Sequence, residues 1–146
     1  MQNAMDAHAF LHELIDAWNA HDRDRLLALY HPDFAGEDLS EGKRADGIRD
    51  AGRMLDYVLR AFPDLKMTLL EWGSQGDNVF FFWEVAGHQR GRLMNIPPTG
   101  KFCKFLGSTF LTLRDDKIIR SRRIWDVASA LRHMGLLPEP SQTEYA

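Results

Sequence analysis

Apolar residues recur at helical intervals in the first part of the chain. Between Asp6 and Ala20 they fall at Phe10, Leu11, Leu14, Ile15 and Trp18, with His8, His12, Glu13 and Asp16 on the other side, so the spacing predicts an amphipathic helix. Asp22 is placed to cap a short second helix: its carboxylate accepts a free backbone N–H while Leu26, Leu27 and Tyr30 turn inward, and Pro32 ends the run. A polar, acidic stretch from Gly36 to Gly42 follows. A third helix is predicted from Arg44 to Ala61, with Ile48, Ala51, Leu55, Val58 and Leu59 along one side, and Phe62-Pro63-Asp64 stops it because the residue before a proline is driven out of the helical region.

From Leu65 the pattern changes to period two, with β-branched and aromatic residues between turns at regular intervals. Strands are predicted at Leu65–Trp72, Val79–His88, Lys101–Arg114 and Lys117–Asp126. The turns fall at Ser74-Gln75-Gly76-Asp77-Asn78 and Asp115-Asp116, and Asn95-Ile96-Pro97-Pro98-Thr99-Gly100 reads as a rigid loop because the paired prolines fix φ. A short helix from Val127 to Met134 ends at Gly135, and the polar tail, 138–146, is expected to be disordered. Helices first and antiparallel strands after give a single α+β domain over 1–146, its helical stripes buried on one face of a curved sheet. A cone with an internal cavity is one natural outcome.

Composition narrows the function. At 45% hydrophobic and 27% charged residues, the chain resembles an ordinary globular domain. The longest apolar run, Val79 to Trp83, is far short of the roughly 20 residues that cross a bilayer, so no membrane partner and a cytoplasmic location are expected. A net charge of −3 offers no broad footprint for a phosphate backbone, although Arg120, Arg122 and Arg123 cluster, so no nucleic-acid partner is expected. Cys103 is the only cysteine, which excludes an intramolecular disulfide and any multi-cysteine zinc site.

Asp126 is the most informative candidate. It follows Ile124 and Trp125 at the end of the last strand, where the chain turns into an apolar helix. Two readings stand: a general acid or base whose pKa burial would raise, or a cap of the helix starting at Val127. Strand alternation puts Asp126 on one face with Ile124, Arg122 and Arg120, and a pair with Arg122 would favour the ionised form. Glu84 and His88 share a face with Phe80 and Phe82, so the carboxylate could orient the imidazole. A pocket between helices and sheet would draw its substrate-binding residues from Trp18, Phe34, Met54 and Phe82. Glu84, Phe110, Arg122 and Ile124 complete the candidate set. His8, His12 and Asp16 have helical spacing but no third convergent ligand, so they read as a wet face and no metal site is expected. Gly36, Gly42, Gly47 and Gly52 form no phosphate cradle.

Several segments resemble the SnoaL-like polyketide cyclases, also called predicted ester cyclases, within the nuclear transport factor 2-like superfamily. They are Ala17-Trp18-Asn19-Ala20-His21-Asp22, Tyr30-His31-Pro32-Asp33-Phe34, Phe62-Pro63-Asp64, Ile96-Pro97-Pro98-Thr99-Gly100-Lys101, and an ending formed by Asp116-Lys117-Ile118-Ile119, Trp125-Asp126 and Leu131 to Gly135. The resemblance implies a cone of curved antiparallel sheet closed by N-terminal helices, dimeric through the sheet. It implies ring closure of a small, apolar, polyketide-like carbonyl compound by intramolecular aldol condensation, with no metal or organic cofactor. In that scheme an aspartate matching Asp126 moves the proton, and His88 matches a histidine that follows the glycine ending the second strand. Many relatives carry a tryptophan where this chain has Arg122, which would make the pocket more cationic. Two other functions remain open: a non-catalytic ligand-binding or dimerising module, and water addition to an epoxide, which would need Asp126, Arg122 and Glu84 to converge.

Overall fold

The computed structural model describes residues 4–140. The helices are α1 (Ala4–Asn19), α2 (Arg23–Leu27), α3 (Gly47–Ala61) and α4 (Val127–His133). The strands are β1 (Tyr30–Asp38), β2 (Lys43–Asp46), β3 (Lys66–Gln75), β4 (Asn78–His88), β5 (Phe102–Arg114) and β6 (Lys117–Trp125). Together the strands make one six-stranded sheet in the order β2-β1-β6-β5-β4-β3. It is curved and unclosed, as the α+β expectation and the family resemblance required. Of the tail expected to be disordered, 138–140 are exposed without regular structure, and 141–146 lie outside the described residues.

The core lies between the concave face of the sheet and the helices. Leu11, Leu14 and Trp18 of α1 and Ala51 and Leu55 of α3 meet Phe81, Trp83 and Val85 of β4 and Phe105 and Leu111 of β5. Asp22 does cap α2, accepting the Arg25 N–H at 3.1 Å. At Gly107 an added Cβ would lie 2.2 Å from Trp83 Cζ2. A bare backbone there lets the indole lie flat on β5, where its Nε1–H donates to Thr109 Oγ1 at 2.9 Å.

Two strands differ from the sequence reading. Tyr30 and Pro32 begin β1 rather than ending α2, and the acidic stretch after Gly36 forms the end of β1 and the turn into β2. Pro32 is tolerated inside the sheet because the parallel pairing of β1 with β6 is irregular between Tyr30 and Ala35, so no ladder bond is lost at its missing N–H. Beyond that break Ala35 pairs with Arg120 and Asp38 with Arg123.

Candidate functional site

Two adjoining hollows open between the sheet and the helices. The inner one, about 80 Å³, is lined by Leu14 and Trp18 of α1, Phe81 and Trp83 of β4, Phe105 of β5 and Trp125 of β6, among other apolar groups. The outer one, about 270 Å³, lies against α3 and β2 and is lined by charge: Glu37, Lys43, Arg44, Asp50 and Arg53. Asp38, Glu41, Tyr57, Ser121 and Arg123 line both, forming a polar collar where the apolar chamber meets the charged vestibule.

The collar is built by the turn from β1 to β2. Leu39 N–H donates to Arg123 C=O at 2.8 Å, and Ser40 Oγ both accepts from Trp125 N–H at 2.8 Å and donates to Trp125 C=O at 3.0 Å, so residues 39–40 are stapled to β6. Gly42, with φ +68°, then turns the chain back. The Asp38 carboxylate is 5% exposed and fully engaged. Its Oδ2 accepts from Arg123 Nε at 3.0 Å and Trp125 Nε1 at 3.1 Å, and Arg123 Nη2 lies 3.0 Å from it. Its Oδ1 accepts from Glu41 N–H at 3.0 Å. An acid with both oxygens committed serves as an anchor, and what it anchors is Arg123 and the backbone of Glu41.

Glu41 is held differently. Its side chain is also 5% exposed, but only Oε1 is engaged, accepting from Tyr57 O–H at 2.7 Å and lying 3.4 Å from Lys43 Nζ. Met94 N–H donates to the Tyr57 oxygen at 3.0 Å, which leaves the phenol proton directed at Glu41. Burial and the bond to Glu41 both push the Tyr57 phenol pKa up, so it remains a proton donor at neutral pH. The Lys43 ammonium sits 3.8 Å from the centre of the Tyr57 ring. Oε2 of Glu41 has no protein partner among the described residues, and no fully enclosed side-chain oxygen or nitrogen there lacks a partner. Oε2 is therefore open to the cavity, as a proton-transferring carboxylate must be.

The sequence reading placed several site residues on the wrong face. Trp18 does line the inner hollow, and Phe34 and Met54 line the outer one. Phe82, Glu84, Phe110, Arg122 and Ile124 instead face outward from the sheet. In β6 the cause is a bulge: Leu113 pairs with Ile118 but Thr112 pairs with Arg120, so the extra residue flips the alternation and sends Ser121, Arg123 and Trp125 inward. In β4 the run from Phe80 to Trp83 is aromatic on both faces, so hydrophobicity carries no sidedness. Glu84 lies 3.7 Å from Lys104 and Arg122 donates to Glu37 at 2.9 Å, so each is engaged by a partner other than Asp126.

Asp126 is exposed at the start of α4, with Oδ1 accepting Ser129 N–H at 3.0 Å and Oδ2 accepting Ser129 Oγ–H at 2.6 Å. Those Ser129 bonds, the hydroxyl first, hold its carboxyl below the usual aspartate range, which is the chemistry of a helix cap. It does not line the inner hollow. His88 is away from it too, with Nδ1 2.6 Å from Asp64 Oδ2 while its backbone N–H donates to Asp64 Oδ1 at 2.8 Å. Bonds from the His88 ring and backbone keep the Asp64 carboxyl low. His8 stacks on Trp72 at 4.8 Å, and no group of three His, Cys, Asp or Glu placed to hold a metal occurs among the described residues. No described helix is long and apolar enough to cross a membrane.

Sequence reasoning missed the collar because its signal is one of spacing across the chain. Asp38 and Arg123 are 85 positions apart. The local clue was an acid at each end of the Asp38-Leu39-Ser40-Glu41 turn, which reads equally well as a solvated loop.

The architecture is similar to solved structures of low sequence identity. AclR from Streptomyces galilaeus, provisionally assigned as a hydroxylase, superposes with a TM-score of 0.83 at 22% identity over 95% of this chain and 91% of its own. A provisionally assigned SnoaL-like polyketide cyclase from Jannaschia sp. CCS1 gives 0.81 at 23% identity, over 94% and 100% of the two chains. A protein with a ketosteroid isomerase-like fold from Catenulispora acidiphila gives 0.74 at 19% identity, over 88% and 93%. No curated protein sequence matches this chain. The family model of the SnoaL-like polyketide cyclases matches residues 8–134, and the chain, with the curved sheet and internal hollow described above, belongs to that family.

Proposed function

We propose that this protein is a cyclase-type enzyme acting without a cofactor on a small, polyketide-like carbonyl compound, with Glu41 as the group that moves the proton. The observation that carries this reading is the open Oε2 of a buried carboxylate at the junction of an apolar chamber and a charged vestibule. Glu41 takes a proton from the carbon next to one carbonyl. The resulting enolate carbon bonds to a second carbonyl carbon of the same molecule, whose oxygen becomes an alkoxide and regains the proton from Glu41. Arg123, fixed by Asp38, supplies a fixed positive charge to the oxygen that gains negative charge, and Tyr57 supplies a directed donor behind Glu41. Membership of the cyclase family supports this assignment over water addition to an epoxide.

Glu41→Gln preserves shape and removes the base. Turnover of a panel of diketones and keto esters should fall by at least about a hundredfold, in line with the usual contribution of a general base. Unchanged turnover in the folded variant rejects the assignment.

The outer face of the sheet supports a homodimer. Phe80, Phe82, Phe102, Phe110 and Ile124 are exposed there, Phe80 and Phe110 stacked at 6.4 Å, and an apolar surface of this kind is uncommon on a monomer. Sedimentation should give twice the chain mass, and Phe110→Glu should give the monomer.

A further inference from the structure

Tyr30 carries a hydroxyl that the proposed proton transfer does not use. It opens β1 beside Ile118 of β6, with the ring of Phe34 edge-on at 4.9 Å and 89°. The residue is only 7% exposed and lines the inner chamber among Leu14, Trp18, Leu111 and Ile118, none of which can accept a hydrogen bond through its side chain. Among the described residues its hydroxyl has no protein partner, and no fully enclosed side-chain oxygen there is left unpaired. Tyr30 lines the chamber, and its hydroxyl, unpartnered and not fully enclosed, is free to meet a group that enters. Burying a hydroxyl without a partner is costly, and one aimed into an apolar hollow is a built position for an oxygen on whatever enters.

The electrostatics say which kind of oxygen. Burial pushes the phenol up to about 12, with Arg123 acting the other way, so at neutral pH Tyr30 donates a proton and carries no charge. A neutral donor among Leu14, Trp18, Leu111 and Ile118 favours a neutral acceptor, because an anion placed there would lose its solvation.

We infer that Tyr30 anchors a ring carbonyl oxygen of the ligand deep in the inner chamber, making the preferred ligand class an apolar cyclic ketone whose ketone end enters first. This rests on the reading of the chamber as the substrate site. It adds orientation, with one oxygen held at Tyr30 and the reacting carbons left near Glu41 and Arg123.

The test compares 1-tetralone, a fused-ring ketone, with tetralin, its hydrocarbon parent, by NMR titration of the wild type and Tyr30→Phe. Wild type should bind the ketone more tightly. Tyr30→Phe should weaken 1-tetralone by roughly threefold to tenfold, the range for one net hydrogen bond, and leave tetralin unchanged. Because the hydroxyl has no protein partner, the thermal midpoint of Tyr30→Phe should be no lower than that of wild type. A lowered midpoint, or equal effects on the two compounds, would overturn the anchor role alone. If neither compound binds wild type, the chamber itself is not a site for such molecules, and the functional reading falls with the inference.

Discussion

Arg123→Met tests the collar most directly, because it removes one partner of a buried pair and leaves the other in place. The Asp38 side chain is 5% exposed and that of Arg123 21%, so both lie in a poorly screened environment. Stranding one member of such a pair costs about 3–5 kcal/mol. Asp38 retains the N–H donors of Trp125 and Glu41, and Arg123 keeps some contact with solvent, so the lower end, about 3 kcal/mol, is expected here. In a chain of this size that corresponds to a fall of roughly 10 °C in thermal midpoint. Urea unfolding of wild type, Arg123→Met, Asp38→Asn and the double variant closes a cycle, with equal slopes required for the comparison. Once Asp38→Asn has removed the buried charge, Arg123→Met should cost only about 1 kcal/mol. If it costs the same in both backgrounds, or less than about 1 kcal/mol in wild type, the two side chains are not coupled and the anchoring role assigned to Asp38 is wrong.

The other expectations concern single contacts. Gly107→Ala should drive a methyl group into the Trp83 indole and cost about 1–3 kcal/mol, read by thermal unfolding, with loss of the fixed near-ultraviolet signal of that ring. Asp126→Asn should leave turnover close to wild type and keep the backbone cap while losing the Ser129 hydroxyl bond to Oδ2, whereas Asp126→Ala should lose the cap as well and cost about 1 kcal/mol of stability. A large loss of turnover in Asp126→Asn would instead favour the acid–base role that the family resemblance implies for that residue. Asp64 and Asp126 both have folded pKa values below their unfolded ones, so each stabilises above the unfolded aspartate pKa and loses that contribution as pH falls through the folded value. Replacing both with asparagine should flatten the acid limb of the stability curve below about pH 4, measured by denaturant midpoint against pH.

The sequence carried most of the architecture because most elements announce themselves locally. The stripe of α1, the proline stop after α3 and the period-two meander depend on neighbours a few residues apart. What it could not carry was sidedness. The bulge between Ile118 and Arg120 reverses the faces of β6, and nothing in Lys117-Ile118-Ile119-Arg120 marks it, since two isoleucines in succession satisfy either register. Polarity then misled further: Arg123 points inward to meet Asp38, while Ile124 faces out on the exposed sheet. β1 escaped notice because Pro32 signals the end of a helix in sequence, and only the irregular pairing beside β6 makes it acceptable in a strand.

Pairing β1 with β6 also bears on the order of assembly. The meander from β3 to β6 joins neighbours in sequence, whereas β1 must find β6 across 85 residues, a closure of higher entropic cost. Because Asp38, Glu41 and Arg123 come together only at that seam, a nascent molecule can possess its full meander and still have no collar. If that seam closes last, pulse-labelled amide exchange should find the Leu39 N–H, bonded to Arg123, protected later than the amides joining β4 to β5.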